Sequence, residues 1–139
     1  MRIKIYLLLL FLAPLALLAQ TPELHTKSDK AKKHYLRAME AYDMGKNEAA
    51  ANDFNKAIES DPNFIEAHIV LAGIYQDGKK YDKAIVEYKA ALAIDPNFFP
   101  NNYYNLAESE IALQLFSDAK EHLKKLLSQQ FKIIPVCKV

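Results

Sequence analysis

The order of apolar and polar residues divides the chain into two parts. Residues 5–18 form an almost unbroken apolar run, whereas residues 29–128 place apolar residues at the spacing of amphipathic helices. In the second part, Ala50, Phe54 and Ala57 share one helical face. The pattern predicts six helices, at about 29–44, 47–60, 63–77, 80–93, 100–113 and 116–128.

The helical part repeats itself every 34 residues. The sequence Asp-Pro-Asn-Phe at 61–64 returns at 95–98, and a third copy follows with one extra residue in its loop. Each copy contains two helical patterns joined by a turn. We expect Gly45 and Gly78, in the turns of the first two copies, to adopt positive φ and end the preceding helix. The Asp-Pro pairs end each copy because the residue before proline is disfavoured in a helix.

A 34-residue helix–turn–helix unit with alanine at its close-packing positions resembles the tetratricopeptide repeat (TPR). The resemblance covers residues 31–64, 65–98 and 100–132, and it implies an all-α solenoid of three helix–turn–helix repeats. The matching residues are Ala38, Ala72, Ala107, Ala50, Ala84 and Ala119, the large Phe54, Tyr88 and Leu123, and the closing Pro62 and Pro96. The departures are His34, His68 and Tyr103 at the usual tryptophan position, Arg37 at a usual leucine, and Gln114 and Phe131 in the third copy.

The first twenty residues have the features of a secretory signal peptide. Arg2 and Lys4 begin the chain, the apolar run is shorter than the roughly 20 residues that span a bilayer, and Ala19 follows it. We predict a signal peptide at 1–19, cleaved after Ala19, and a linker at 20–28; an uncleaved anchor is the alternative. The protein is then exported, periplasmic or associated with the outer membrane, and not lipidated at its N-terminus.

An apolar, β-branched tail at 133–139 follows the predicted TPR domain at 29–132. Pro135 prevents this tail from forming a regular helix. One reading is a short extended cap over the last helix. The other is that the tail contacts something else, or that the chain is a fragment of a longer protein.

Composition and charge exclude several classes of function. The 139 residues carry 18 basic and 17 acidic side chains, and a net charge of +1 is too balanced for a polybasic nucleic-acid binder. The 3 glycines argue against a glycine-rich phosphate loop, and the single cysteine, Cys137, rules out a multi-cysteine zinc site.

The titratable residues do not form a recognisable catalytic pattern. His34 and His68 occupy equivalent repeat positions, and we interpret them as packing residues. Two acidic pairs are interpreted as solvated helix faces: Glu108 with Glu110, and Asp53 with Glu59. We expect no enzyme activity, no metal site and no cofactor.

The TPR resemblance also implies a concave groove lined by the first helix of each repeat. Its residues in this chain are Lys32, Tyr35, Met39, Tyr42, Glu66, Ile69, Gly73, Gln76, Asn101, Tyr104, Glu108 and Ile111. Tyrosine offers rigid area with a polar tip and methionine adapts its shape, so the mixture suits capture of a peptide or helix of another protein. Chaperone-binding members hold a C-terminal carboxylate with lysine and asparagine, but Tyr35, Met39 and Val70 stand here. A chaperone C-terminus is therefore not the expected partner.

Two kinds of function fit this sequence. The first is an exported scaffold that binds an envelope protein in the groove. The order of a signal peptide that ends in Ala-Gln and a short TPR array that begins near Lys30 is similar to the N-terminal part of certain Bacteroidota envelope proteins. Those proteins carry TPR repeats ahead of propeller and OmpA-like domains and include a component of the type IX secretion machinery. The second is self-association, in which the tail and the last helix, with Leu123, Leu126 and Leu127, stack on a second copy and continue the solenoid.

Overall fold

The computed structural model describes residues 23–133, and within that range the chain is all-α. The predicted signal peptide and residues 134–139 of the predicted tail lie outside the described residues. The helices are α1 Asp29–Asp43, α2 Asn47–Ser60, α3 Ile65–Asp77, α4 Tyr81–Ile94, α5 Asn102–Ala112 and α6 Phe116–Ile133. Each helix packs on the next, so α1–α2, α3–α4 and α5–α6 are three stacked pairs and the predicted solenoid is confirmed.

Three helix ends differ from the predicted ones by two or more residues. The third and fifth helices begin two residues late, at Ile65 and Asn102. In the first of these loops the carboxylate of Asp61 accepts the backbone N–H of Asn63 at 3.0 Å, which favours a turn over helix. The last helix continues to Ile133 instead of ending near 128, because no helix-breaking residue lies between those positions.

A residue in the left-handed conformation follows the first helix of each repeat. In the second repeat this residue is Lys79, one position after the predicted Gly78. Gly45 has φ 72° as expected, but Gly78 has φ −77° and Lys79 takes the positive value, 57°. Gln114 is the third such residue, at φ 62°. The prediction for Gly78 was wrong because the geometry keeps the 34-residue register from Gly45 and not the position of the glycine. The closing backbone bonds are equivalent in all three turns: Lys46 to Ala41, Lys80 to Tyr75 and Leu115 to Glu110, at 2.8–2.9 Å.

Two apolar clusters join the three repeats. Phe54, Phe64 and Leu71 belong to the first cluster, between repeats one and two, and each is 0% exposed. Tyr88 and Leu106 belong to the second cluster, between repeats two and three. The six alanines that match the family pattern are all buried, which lets the helices approach closely.

Two acidic residues expected on solvated faces are buried instead. Asp53 is 8% exposed and Glu110 is 0% exposed, whereas Glu59 and Glu108 lie on the surface as predicted. Asp53 binds the Arg37 guanidinium, with the Nε donating at 2.7 Å. That hydrogen bond is the main cause of the lowered pKa of Asp53. The spacing of residues along one helix did not predict that Asp53 and Glu110 are buried, because the residues that bury them belong to neighbouring helices.

Arg37 stands where the other repeats have the buried Leu71 and Leu106. Those leucines pack against the preceding helix pair, and no helix precedes α1 within the described residues. The guanidinium is therefore about half exposed and turns to Asp53 of its own repeat. With Asp53 as its partner, arginine therefore stands where the other two repeats bury a leucine.

Within residues 23–133, no helix is long and apolar enough to span a membrane.

Candidate functional site

The first-repeat end of the predicted groove is a cleft of about 1610 Å³. Lys32, Tyr35 and Met39, three of the predicted groove residues, line it from one face of α1. The opposite wall is the segment before α1, residues 23–27. Tyr42, the fourth predicted residue of this helix, does not line the cleft and is 36% exposed.

Tyr35 is more part of the core than a free groove residue. Its ring lies edge-on to Phe54 with centroids 5.4 Å apart, and it is tilted against Phe64 at 4.9 Å. Burial, together with the charge of Glu66, raises the pKa of its hydroxyl. Replacing Tyr35 therefore disturbs the first cluster as well as the groove.

Gln76 and Glu108, predicted groove residues on α3 and α5, bond to each other. The Gln76 amide donates to Glu108 Oε2 at 2.9 Å and accepts from the Tyr88 hydroxyl at 2.7 Å. Burial of Tyr88, followed by the charges of Asp77 and Glu108, raises its pKa to about 12. The phenol thus remains a hydrogen-bond donor to Gln76 within repeat two, and the Gln76–Glu108 bond links repeats two and three.

The surface around Gly73 is open. A Cβ added at this position meets no atom within 4 Å. Tyr104 and Ile111 on α5 are 51% and 48% exposed, which leaves large apolar surface available for contact. Ile69 is half-buried and Asn101 is exposed.

Residues 23–27, which sequence analysis treated as linker, are docked on the repeats. The His25 backbone N–H donates to Glu66 Oε1 at 2.9 Å, and its ring Nδ1 lies 2.7 Å from the same oxygen. The His25 ring also lies edge-on to Phe98, with centroids 4.8 Å apart. We call residues 23–27 the docked segment. No local sequence pattern predicts these contacts, because they are made between residues that lie 41 or more positions apart in the sequence.

Two further contacts hold the docked segment. Leu24 packs against the first apolar cluster, and the Thr26 hydroxyl donates to Asp61 Oδ2. Ser28 then caps α1, since its hydroxyl accepts the N–H of Ala31 at 3.2 Å. Glu66, a predicted groove residue, is therefore already engaged by the chain's own N-terminal part.

Two family models, both described as tetratricopeptide repeat, match residues 35–97 and 76–132. The chain contains tetratricopeptide repeats. Solved structures of other proteins share this fold. A crystal structure of MamA is 23% identical with a TM-score of 0.70, covering 76% of this chain and 61% of that one. The chain thus spans about three fifths of the MamA structure's length.

Two other similar structures are complexes of TPR domains. The first TPR of Spaghetti (RPAP3) bound to HSP90 peptide SRMEEVD is 23% identical, with a TM-score of 0.66, covering 76% of this chain and 83% of that one. The TPR2B domain of yeast Sti1, in complex with pHsp70, is 21% identical with a TM-score of 0.66, covering 75% and 82%. At these identities the likeness establishes the fold.

Each TPR unit pairs a ring on its first helix with a polar residue on its second. His34 lies 4.0 Å from Asp53, and His68 Nδ1 lies 2.6 Å from Glu87 Oε2. In the third repeat, Tyr103 stacks on His122 with centroids 6.2 Å apart. His68 thus combines packing with a hydrogen bond to Glu87, whereas His34 Nδ1 is buried and has no hydrogen-bond partner among the described residues. Among residues 23–133, no three His, Cys, Asp or Glu side chains form a metal-ligating group.

Acidification is expected to stabilise the TPR domain through His68. Burial lowers the pKa of His68, but the Glu87 hydrogen bond, the Pro62 carbonyl and the Glu87 charge outweigh it and raise the pKa above 6.5. Because the folded-state pKa is raised, this contribution is fully present below about pH 6.5 and is lost as pH rises through the raised value. We expect an effect of about 1 kcal/mol or less.

Urea unfolding at pH 6 and pH 9 tests this contribution. The His68→Phe variant retains a ring of similar size and removes the titrating group, while the other three histidines remain. Its stability should change less between the two pH values than that of the wild type. An equal change in both proteins would show that His68 does not carry the effect.

Proposed function

We propose that this TPR domain is a non-enzymatic scaffold or adaptor that binds a peptide or helix of another protein on the face formed by α1, α3 and α5. The open surface at Gly73 on α3, together with the half-exposed Tyr104 and Ile111 on α5, is the observation that carries this proposal. A helical glycine with space around it admits close approach of a ligand backbone. Two structures of similar fold, Spaghetti bound to an HSP90 peptide and Sti1 in complex with pHsp70, support capture of another protein by this fold.

The charge of this face favours a partner unlike the peptide in the Spaghetti complex. That peptide, SRMEEVD, has three acidic residues among its last four. Here Glu66 and Glu108 are the acidic residues among the predicted groove residues, and Lys32 is the basic one. Like charges across an interface disfavour binding. A peptide without an acidic C-terminus is therefore the proposed ligand.

Substitution of Gly73 tests the groove without damaging the fold. Peptides are first selected from a random display library with the purified wild-type protein, and the Kd of the best peptide is measured. Gly73→Leu is expected to weaken this binding by about tenfold or more, because the side chain fills the open surface. Isothermal titration calorimetry gives the two Kd values.

Gly73→Ala is the matched control. It should leave Kd within about twofold and raise the free energy of unfolding by up to about 1 kcal/mol, since alanine favours a helix over glycine. Peptide binding that survives Gly73→Leu would place the ligand elsewhere on the protein. Recovery of no binding peptide would count against the proposed function itself.

We also propose that the protein is exported to the periplasm or the outer membrane, in a secretion or outer-membrane assembly such as the type IX machinery of Bacteroidota. The basic start, the apolar run and Ala19 support this location. N-terminal sequencing of the protein purified from cells tests it. A chain that begins at Gln20 is expected, and one that begins at Met1 in the cytoplasmic fraction contradicts it.

Self-association through α6 is the second candidate. Leu127 is 52% exposed, although its equivalents in the earlier repeats, Ile58 and Leu92, pack in the two apolar clusters. The repeat pattern thus leaves apolar surface at the last position of the described solenoid. Light scattering measures the molar mass of the protein at concentrations that span about a hundredfold in the micromolar range. If this surface binds a second copy, the molar mass should increase with concentration. A constant monomer mass contradicts self-association.

A further inference from the structure

The docked segment has the form of a peptide bound to the TPR face. Residues 23–27 are not helical and run from Phe98, beside the third repeat, to the start of α1. Their partners are side chains that lie 35 to 41 residues away, Asp61 and Glu66, which belong to the second repeat and the loop before it. One of these, Glu66, is a predicted groove residue.

The contacts of the docked segment define a recognition pattern. Leu24 supplies an apolar anchor, and the next residue, His25, presents its backbone N–H and its ring to one carboxylate oxygen of Glu66. The other oxygen, Glu66 Oε2, is buried and has no hydrogen-bond partner among the described residues. The site therefore holds an acceptor that the docked segment leaves unused, which a stronger donor can engage.

The docked segment is held weakly enough to be displaced. His25 is 60% exposed, so its contact with Glu66 is screened by solvent and stabilises the docked state only slightly. Leu24 is half-buried and is the main apolar contact of the segment, and Thr26, at 7% exposed, is the one buried residue among 23–27. Segments with few buried contacts open locally at low cost in free energy.

We infer, resting on the proposed peptide-binding function, that the docked segment is an intramolecular competitor for the TPR groove. The partner peptide that replaces it is an extended one, in which an apolar residue is followed directly by a basic residue or histidine. Its apolar side chain takes the place of Leu24, and its cation binds Glu66. Release of the docked segment then accompanies partner binding, and the affinity for partner is reduced by the docked fraction.

Tryptic cleavage after Lys27 measures release of the docked segment without any ligand. Lys27 is exposed at the end of the segment, and a protease needs an extended, mobile chain around the cleaved bond. Glu66→Ala should speed cleavage at this bond by about fivefold, because it removes the acceptor for His25. Glu40→Ala, which removes an exposed carboxylate from α1, should leave the rate unchanged. Equal rates in both variants would overturn the docked position.

A synthetic peptide with the sequence of residues 23–28, Glu-Leu-His-Thr-Lys-Ser, tests the competition. It should bind the His25→Ala/Thr26→Ala double variant of the full chain with a Kd about fivefold or more below that for the wild type, because the site is released. The control peptide Glu-Asp-His-Thr-Lys-Ser, with an acidic residue at the anchor, should not bind the variant. NMR titration, which follows the chemical shifts of the backbone amides, measures both affinities and shows where the peptide binds.

The outcomes separate this inference from the proposed function. Equal affinity of the hexapeptide for wild type and variant, or no binding to either, overturns the competition. Binding of the hexapeptide at the released site, together with failure to select any library peptide, supports the competition and counts against partner capture. Selected peptides whose Kd is unaffected by His25→Ala/Thr26→Ala show that partner and docked segment do not share the site, and this too overturns the inference.

Discussion

Replacing Phe54 by alanine is expected to lower the free energy of unfolding by about 3–5 kcal/mol. The Phe54 side chain is 0% exposed and lies between the first two repeats, edge-on to the Tyr35 ring. Its removal forfeits apolar burial and leaves a cavity that alanine cannot fill. Small domains have a free energy of unfolding of only about 5–15 kcal/mol, so this single change removes a large fraction of the protein's stability.

Phe116→Ala is the matched control, because it makes the same chemical change where the ring is 62% exposed. It should change the free energy of unfolding by no more than about 0.5 kcal/mol. Urea titration followed by circular dichroism at 222 nm, a wavelength that reports helix, measures both variants. Equal losses in the two variants would show that Phe54 does not hold the first two repeats together.

The sequence predicted the repeats and their helices well because the signal is distributed. Alanine at Ala38 and Ala72, and the large Phe54 and Tyr88, recur at a fixed distance, so errors at single positions do not shift the register. The turn before α4 shows the limit of this reasoning. There the register, and not the glycine, decides which residue is left-handed, and Lys79 takes that conformation. For a residue with a Cβ, it costs about 1 kcal/mol or more.

The candidate site was less predictable because its contacts are long-range. Position within a repeat identified Gln76 and Glu108, but not that they bond to each other across two repeats. The contact between His25 and Glu66 joins a segment outside the repeats to the second one. Periodicity carries no information about such a segment. Burial of Glu110 was missed for a related reason, since its partners Lys89 and His122 lie on two other helices.

His122→Ala is expected to lower the free energy of unfolding by about 2–3 kcal/mol. Glu110 is 0% exposed; its Oε2 lies 2.8 Å from His122 Nδ1, and its Oε1 lies 3.3 Å from Lys89 Nζ. Without His122, one oxygen of a buried carboxylate loses its donor. Leaving a buried acceptor without its donor typically costs about 1–3 kcal/mol, and more when the acceptor is charged. Lys89 is half-exposed and remains beside the other carboxylate oxygen, which keeps the expected loss within that range.

The double variant His122→Ala/Glu110→Leu separates the stranded charge from lost packing. Replacing the carboxylate with an apolar side chain removes the desolvation cost, so the double variant should be more stable than His122→Ala by about 1 kcal/mol or more. Glu121→Ala, at an exposed residue paired with Lys125, serves as a control that should change stability by about 0.5 kcal/mol or less. Urea unfolding at pH 7 measures all three. If Glu110→Leu fails to recover stability, the loss in His122→Ala comes from the Tyr103 stacking and not from the buried charge.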